Sequence, residues 1–168
     1  MKIIGGFLTT LGVVFFVLWT GARLYKSEVT WEQNVDGHLK RAADANTLDL
    51  AKEELDGVVK YLEENGVTSG YTSIMWRTPN EDIGFWYKNL KKSVEELARC
   101  QETCKTQLEQ TNVLMKLRET LVDTGQSVKP TDPGGASIYP NNMAYMLWVI
   151  VSMFLMVIGF VIVASDPY

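Results

Sequence analysis

Histidine and cysteine are scarce in this sequence, and the usual sequence motifs of enzymes are missing. His38 is the single histidine, and Cys100 and Cys104 are the two cysteines. Neither a Gly-rich phosphate loop nor an Asn-x-Ser/Thr glycosylation site occurs. His38 falls on an apolar helix face, where a packed ring with a satisfied nitrogen is expected rather than a ligand. The sequence therefore predicts a protein that is not an enzyme, with no catalytic residue, no metal site and no cofactor.

Charge is absent from both ends of the chain, apart from one residue near each terminus. The other 15 basic and 19 acidic residues lie between Arg23 and Asp132 and are evenly mixed, which excludes the basic patch of a nucleic-acid-binding protein. The uncharged apolar runs at residues 3–22 and 143–164 are each about 30 Å long as helices, which matches a bilayer core. They predict two transmembrane helices and make the lipid bilayer the first partner.

The first apolar run has a second interpretation as a cleaved signal peptide. It follows a short basic start and ends in Thr20-Gly21-Ala22, which is a passable cleavage site. The run is longer than the usual apolar region of a signal peptide, and this favours a retained span.

Small residues lie on one face of each predicted span. Gly5, Thr9 and Gly12 share a face of the first span, and Ser152 and Gly159 share a face of the second. Small side chains allow helix backbones to approach closely, so we expect the two spans to pack together.

Two long amphipathic helices are predicted between the spans. Apolar side chains recur at steps of three and four in residues 28–64 and 79–124. An Asn-Gly pair at 65–66 ends the first helix, and a Thr-Pro-Asn-Glu capping box at 78–81 opens the second. The expected fold is an all-α membrane protein in which two transmembrane helices flank a long antiparallel helical hairpin, with only partial coiled-coil character.

Residues 126–142 are rich in proline and glycine and predict an irregular linker to the second span. One hairpin buries little apolar area by itself, so its wide apolar faces indicate association. A homodimer forming a four-helix bundle and a subunit of a larger membrane complex both satisfy this requirement.

Aromatic side chains crowd the turn of the predicted hairpin, at the end away from the spans. We call residues 67–77 the aromatic loop. Its side-chain types are enriched where proteins bind partners, although a local plug that fixes the turn is a competing interpretation. The partner-binding candidates in and after this loop are Tyr71, Met75, Trp76, Arg77, Phe85 and Tyr87.

The same stretch carries a family resemblance. Gly-Tyr-Thr-Ser-Ile-Met-Trp-Arg-Thr-Pro at 70–79 and Gly-Phe-Trp-Tyr-Lys-Asn-Leu at 84–90 resemble a segment of uncharacterised membrane-anchored helical proteins of bacteria such as cyanobacteria. The resemblance covers about an eighth of the chain. It implies a bacterial setting and lends no activity or site.

Cys100 and Cys104 are four residues apart, so their thiols would lie on one side of a helix. Small buried residues beside the helix seam are the simplest interpretation. A metal site shared across a dimer and a thiol redox role are the alternatives. For the redox role, a disulfide between two chains is easier to form than one within a helix.

Basic residues near the membrane favour a cytoplasmic hairpin. Arg23, Lys26 and Lys129 flank the hairpin side of the spans, whereas Lys2 alone flanks the other side. We expect a bacterial inner membrane or a thylakoid-type membrane.

The leading functional prediction is a non-enzymatic, membrane-anchored scaffold or accessory subunit that binds a protein partner through its hairpin domain. A sensory input module is the second hypothesis, because a span, a helical domain and a span form the layout of many receptors. A thiol redox-responsive dimer is the third hypothesis.

Overall fold

The computed structural model describes residues 1–123 and 129–165. Its helices are α1 (Lys2–Leu24), α2 (Gly37–Ala43), α3 (Leu48–Glu64), α4 (Ile83–Thr103), α5 (Gln107–Leu121) and α6 (Asn142–Ala164). A π-helical segment, Tyr25–Asp36, joins α1 to α2 without a break, and short 3-10 turns lie at Pro79–Glu81 and Ala136–Ile138. Strands β1 (Val122–Asp123) and β2 (Lys129–Pro130) form an antiparallel ribbon.

Helices α1 and α6 are both long and apolar enough to cross a membrane. They pack against each other through their small residues. An added Cβ at Gly159 would lie 2.6 Å from the Gly5 carbonyl oxygen, and one at Gly12 would lie 2.9 Å from the Ser152 carbonyl oxygen. These pairings run in opposite directions along the two helices, which are therefore antiparallel. The predicted packing of the two small-residue faces is confirmed.

Each of the two long helices predicted between the spans is broken near its middle. The first is interrupted at residues 44–47, where Thr47 caps α3 by accepting a hydrogen bond from the Leu50 amide. The second is interrupted at residues 104–106, where Thr106 and Glu109 form a capping box that opens α5. The prediction of one long hairpin is therefore wrong, because two local caps start new helices that fold back on the old ones.

The folded-back helices form a four-helix domain with its own core. Two aromatic rings lie at its centre, with the Trp31 and Trp86 ring centroids 6.3 Å apart. Fully buried aliphatic residues surround them on all four helices and their connections; these are Val35, Leu39, Leu55, Val58, Leu62, Ile83, Leu97 and Leu121. The helices bury their apolar faces against one another within a single chain. The wide apolar faces therefore do not require a homodimer, contrary to the reasoning from the sequence.

The connections lie at two opposite ends of this domain. The near end, residues 65–82 and 129–141, adjoins α1 and α6, and the far end consists of residues 44–47 and 104–106. At the near end, Gly66 adopts a φ of +70° and closes α3 as predicted. The predicted capping box at 78–81 is present, but it encloses a 3-10 turn, and Asp82 is the cap of α4. Parts of the predicted second helix and linker, residues 124 and 126–128, lie outside the described residues.

Candidate functional site

The aromatic loop lies beside the apolar helices rather than away from them. The Asn142 side-chain amide, at the start of α6, donates a hydrogen bond of 2.6 Å to the Thr72 carbonyl oxygen. The Tyr139 hydroxyl donates to the Ser69 carbonyl oxygen. The expectation that this loop sits at the end remote from the spans is wrong. The breaks in both long helices fold the chain back, so the loop lies beside the start of α6.

Gly70 makes the close fit of the loop possible. Its φ is +97°, a conformation that other residues rarely adopt, and a side chain at this position would collide with the Tyr139 hydroxyl. The glycine therefore holds the start of the aromatic loop against the segment that leads into α6.

Met75 and Trp76 are highly exposed, with 71% of each accessible to solvent. They line a groove of about 470 Å³, which we call the interfacial groove. Its other walls include Trp19 and Arg23 from the end of α1 and Tyr145 from the start of α6. Two of the six predicted residues thus meet the ends of both apolar helices.

Three other candidates make local contacts within the domain. The Arg77 guanidinium lies 5.6 Å from the Tyr71 ring centroid, and the Tyr71 backbone pairs with that of Asp82. The Tyr87 hydroxyl donates to Glu63 and joins α4 to α3. For these residues the contacts match the competing interpretation, a plug that fixes the turn.

Phe85 lies on a different surface. It is 63% exposed at a groove of about 610 Å³ between the start of α4 and the ribbon, which we call the lateral groove. Buried Trp86 forms part of its wall, and Pro130 and Pro133 line the opposite side. No described residue lines both this groove and the interfacial groove.

Two aspartates that the sequence did not single out approach each other beside the lateral groove. The Trp31 indole donates a hydrogen bond of 3.1 Å to Asp132, and one carboxylate oxygen of Asp36 is buried without a hydrogen-bond partner in the described chain. Burial, reinforced by the negative charges of Asp132 and Glu32, raises the pKa of Asp36 to about 7. Burial also raises the pKa of Asp132. A proton on Asp36 therefore exchanges near neutral pH.

The Asp36→Asn variant is expected to lose part of the pH dependence of stability. Since the pKa of Asp36 is raised in the folded chain, its contribution is fully present below its unfolded value near 4 and is lost as pH rises to about 7. Asp36 is only half-buried, so solvent screening limits the gain of the variant at pH 8 to about 1 to 2 kcal/mol. Thermal unfolding in detergent at pH 5 and pH 8 measures the difference.

The matched control for this experiment is Glu28→Gln, on an exposed position of the same π-helical segment. The control should follow the wild-type pH profile. If Asp36→Asn also follows it, the buried carboxylate does not govern the stability of the domain near neutral pH.

His38 and Arg41 form a second polar cluster around the buried carboxylate of Glu54. The His38 Nδ1 lies 2.5 Å from a Glu54 carboxylate oxygen, and Arg41 pairs with the other oxygen. Glu54 is 9% exposed, so these two partners balance a carboxylate that would otherwise be costly to bury. The expectation of a satisfied ring nitrogen is confirmed, whereas the His38 side chain keeps 35% of its surface exposed and is only partly packed.

Cys100 and Cys104 are joined by a disulfide at the far end of the domain. Helix α4 ends at Thr103, so Cys104 has an extended backbone and its Cα lies 4.8 Å from that of buried Cys100. The expectation that a bridge would form more easily between two chains is wrong here, because Cys104 is no longer constrained by the helix.

Comparisons with protein-family models, curated proteins and solved structures found no match. The resemblance of residues 70–90 to bacterial membrane-anchored proteins stays a prediction. Within the described residues, no group of three or more His, Cys, Asp or Glu side chains is placed to hold a metal ion.

The sequence carried a weak signal for one of the sites it missed. Asp36 stands at the edge of the apolar stripe formed by Val35 and Leu39, where a carboxylate is expensive unless it is paired or protonated. No signal pointed to Asp132 or to the meeting of Trp19 with Tyr145, since these contacts join segments far apart in the chain.

Proposed function

We propose that this chain is a non-enzymatic, membrane-anchored scaffold or accessory subunit that binds a protein partner through its helical domain. In this proposal α1 and α6 cross the bilayer as an antiparallel pair, and the domain stands on one membrane surface. The observation that carries it is the lateral groove, an open surface with an exposed phenylalanine on a domain fastened to two apolar helices.

Phe85 has the features of an interface anchor. It presents an aromatic ring at the edge of a concave surface, and Trp86 and Leu90 supply apolar walls. Carboxylates at Asp82 and Asp132 and the amine of Lys129 give the surface polar groups that can orient a partner. A segment of a second copy of this chain or of another subunit of a membrane complex fits this description.

Phe85→Ala is expected to reduce partner recovery about ten-fold, because loss of an aromatic anchor commonly costs more than 1 kcal/mol. Recovery is measured by chemical crosslinking in membranes followed by affinity purification of the tagged full chain. Leu108→Ala is the matched control, since Leu108 is 70% exposed on α5 outside the groove. Equal recovery from both variants would remove the lateral groove as the binding surface.

The basic residues near the membrane support one side for the domain. Arg23, Lys26 and Lys129 favour the cytoplasmic side of a bacterial inner or thylakoid-type membrane for the domain. The Cys100–Cys104 disulfide favours an oxidising compartment instead. We propose the cytoplasmic side from the basic residues, and this proposal requires that the Cys100–Cys104 bridge open in the reducing cytoplasm.

A sensory input module is the second candidate, favoured by the Asp36–Asp132 pair. Asp36 belongs to the segment that continues α1, and Asp132 to the segment that leads into α6. Protonation of Asp36 would weaken the repulsion between these two segments and change how firmly they hold together. A thiol redox role would act at the far end, by opening the bridge within one chain.

A further inference from the structure

Insertion of α1 and α6 in a bilayer would place the interfacial groove, unlike the lateral groove, beside lipid. It opens where the aromatic loop meets the last turn of α1 and the first turns of α6. This inference rests on the proposed insertion of α1 and α6 in a bilayer, because only then does the groove face lipid.

The aromatic residues of the groove indicate how deep in the bilayer it would lie. The Trp19 indole donates a hydrogen bond of 2.9 Å to the Tyr145 carbonyl oxygen, at the domain end of both apolar helices. Tryptophan and tyrosine at the ends of membrane helices lie at the level of the lipid headgroups. Met146 and Val149 line the groove further along α6, toward the middle of the apolar run. The groove therefore begins at headgroup depth and continues into the hydrocarbon.

Charge at the upper part of the groove suits a phosphate group. The Arg23 guanidinium lies 5.6 Å from the centroid of the Trp19 ring, and Arg23 has no acidic side chain within ion-pair distance in the described chain. A guanidinium at the end of a span can pair with an anionic headgroup while the groove beneath it remains apolar.

The exposed apolar side chains of the loop lack a protein cover. Met75 and Trp76 are each 71% exposed and adjoin Ile74, so three consecutive apolar side chains face outward at this depth. Consecutive apolar side chains exposed beside membrane spans are typical of a segment that lies in the interface of the bilayer.

We infer that the interfacial groove binds a phospholipid of the surrounding bilayer. The anionic headgroup pairs with Arg23, and an acyl chain lies along Trp76, Met146 and Val149. The aromatic loop thereby forms a third contact with the membrane, in addition to the two spans, and holds the near end of the domain at the headgroup level.

Fluorescence quenching by spin-labelled lipid tests this inference. A single cysteine is introduced by Met75→Cys in the full chain carrying Cys100→Ser and Cys104→Ser, labelled with bimane and reconstituted in phosphatidylcholine vesicles. Val17→Cys is the positive control, since Val17 lies within α1 and is 62% exposed. Leu108→Cys, on α5 near the far end, is the negative control with an exposure matched to Met75.

Quenching at position 75 should approach that at position 17 and exceed that at position 108 several-fold. Spin-labelled phosphatidylglycerol should quench position 75 about two- to five-fold more than spin-labelled phosphatidylcholine, and Arg23→Gln should abolish this preference.

The controls separate the possible failures. Quenching at position 17 without quenching at position 75 would overturn the lipid site and leave the loop surface to a protein partner. Quenching at neither position would overturn the proposed membrane insertion as well. A lipid preference that survives Arg23→Gln would overturn the pairing of the headgroup with Arg23.

Discussion

Replacing Gly159 with valine is expected to force α1 and α6 apart and to lower the unfolding temperature by about 5 to 10 °C. A Cβ at this position would lie 2.5 Å from the Thr9 backbone nitrogen and 2.6 Å from the Gly5 carbonyl oxygen. Both atoms belong to the backbone of the facing helix, so no side chain can rotate away to relieve the clash. The helices must separate along this face, and the dispersion contacts around Gly159 are weakened.

Gly6→Val is the matched control for this experiment. An added Cβ at Gly6 meets no atom within 4 Å, although Gly6 is the immediate neighbour of Gly5 on α1. Unfolding of both variants in detergent micelles is followed by circular dichroism. A loss of stability of the same size in both would show that the valine itself, rather than the contact between the two helices, is responsible.

Leu55→Ala is expected to destabilise the helical domain by about 3 kcal/mol, within the range found for leucines in cores. Leu55 lies on α3 with no solvent-accessible surface, in the cluster that contains Trp31 and Leu39. Its removal takes away apolar burial and leaves a cavity that four helices packed against one another cannot fully close.

The control for the core is Leu50→Ala on the same helix, where the leucine is 50% exposed. This variant should lose less than about 1 kcal/mol, since half of its side chain already meets solvent. Chemical unfolding of the full chain in detergent, followed by tryptophan fluorescence, measures both values. Similar losses would contradict the assignment of α3 as a central helix of the core.

The apolar helices could be predicted closely from the sequence. The sequence predicts helices at residues 3–22 and 143–164; α6 matches within one residue, whereas the helix that begins with α1 continues without a break to Ala43. Hydrophobic runs without charge are a strong local signal, and the small residues at Gly5 and Gly159 further indicated the packing faces.

The division of the middle of the chain could not be predicted from periodicity alone. Apolar spacing continues across residues 44–47 and 104–106, so the stripes resemble those of uninterrupted helices. The pattern Thr106-Gln107-Leu108-Glu109 is a capping-box signature that would have marked the second break. At the first break, Thr47 is the only local signal. The position of this break is determined by the tertiary packing of α2 on α3.

The candidate site depends on the same two breaks. Met75, Trp76 and Phe85 are exposed, as a binding surface requires, and their role in partner binding stays a prediction. The sequence placed them together at a remote tip, whereas Met75 and Trp76 line a groove beside α1 and α6, and Phe85 lies at a groove formed by other segments. Such contacts between distant segments cannot be derived before the order of the helices in space is known.

Helix α1, the π-helical segment and α2 form one continuous rod, so a tilt of α1 also moves α2. From Leu24 to Ala43 this rod is about 25 Å long, so a tilt of about 10° moves its far end by about 4 Å. Bilayers of different thickness tilt membrane helices by different amounts. With α1 inserted as proposed, a thinner or thicker bilayer would therefore displace Val35 and Leu39, which lie on this helix within the core.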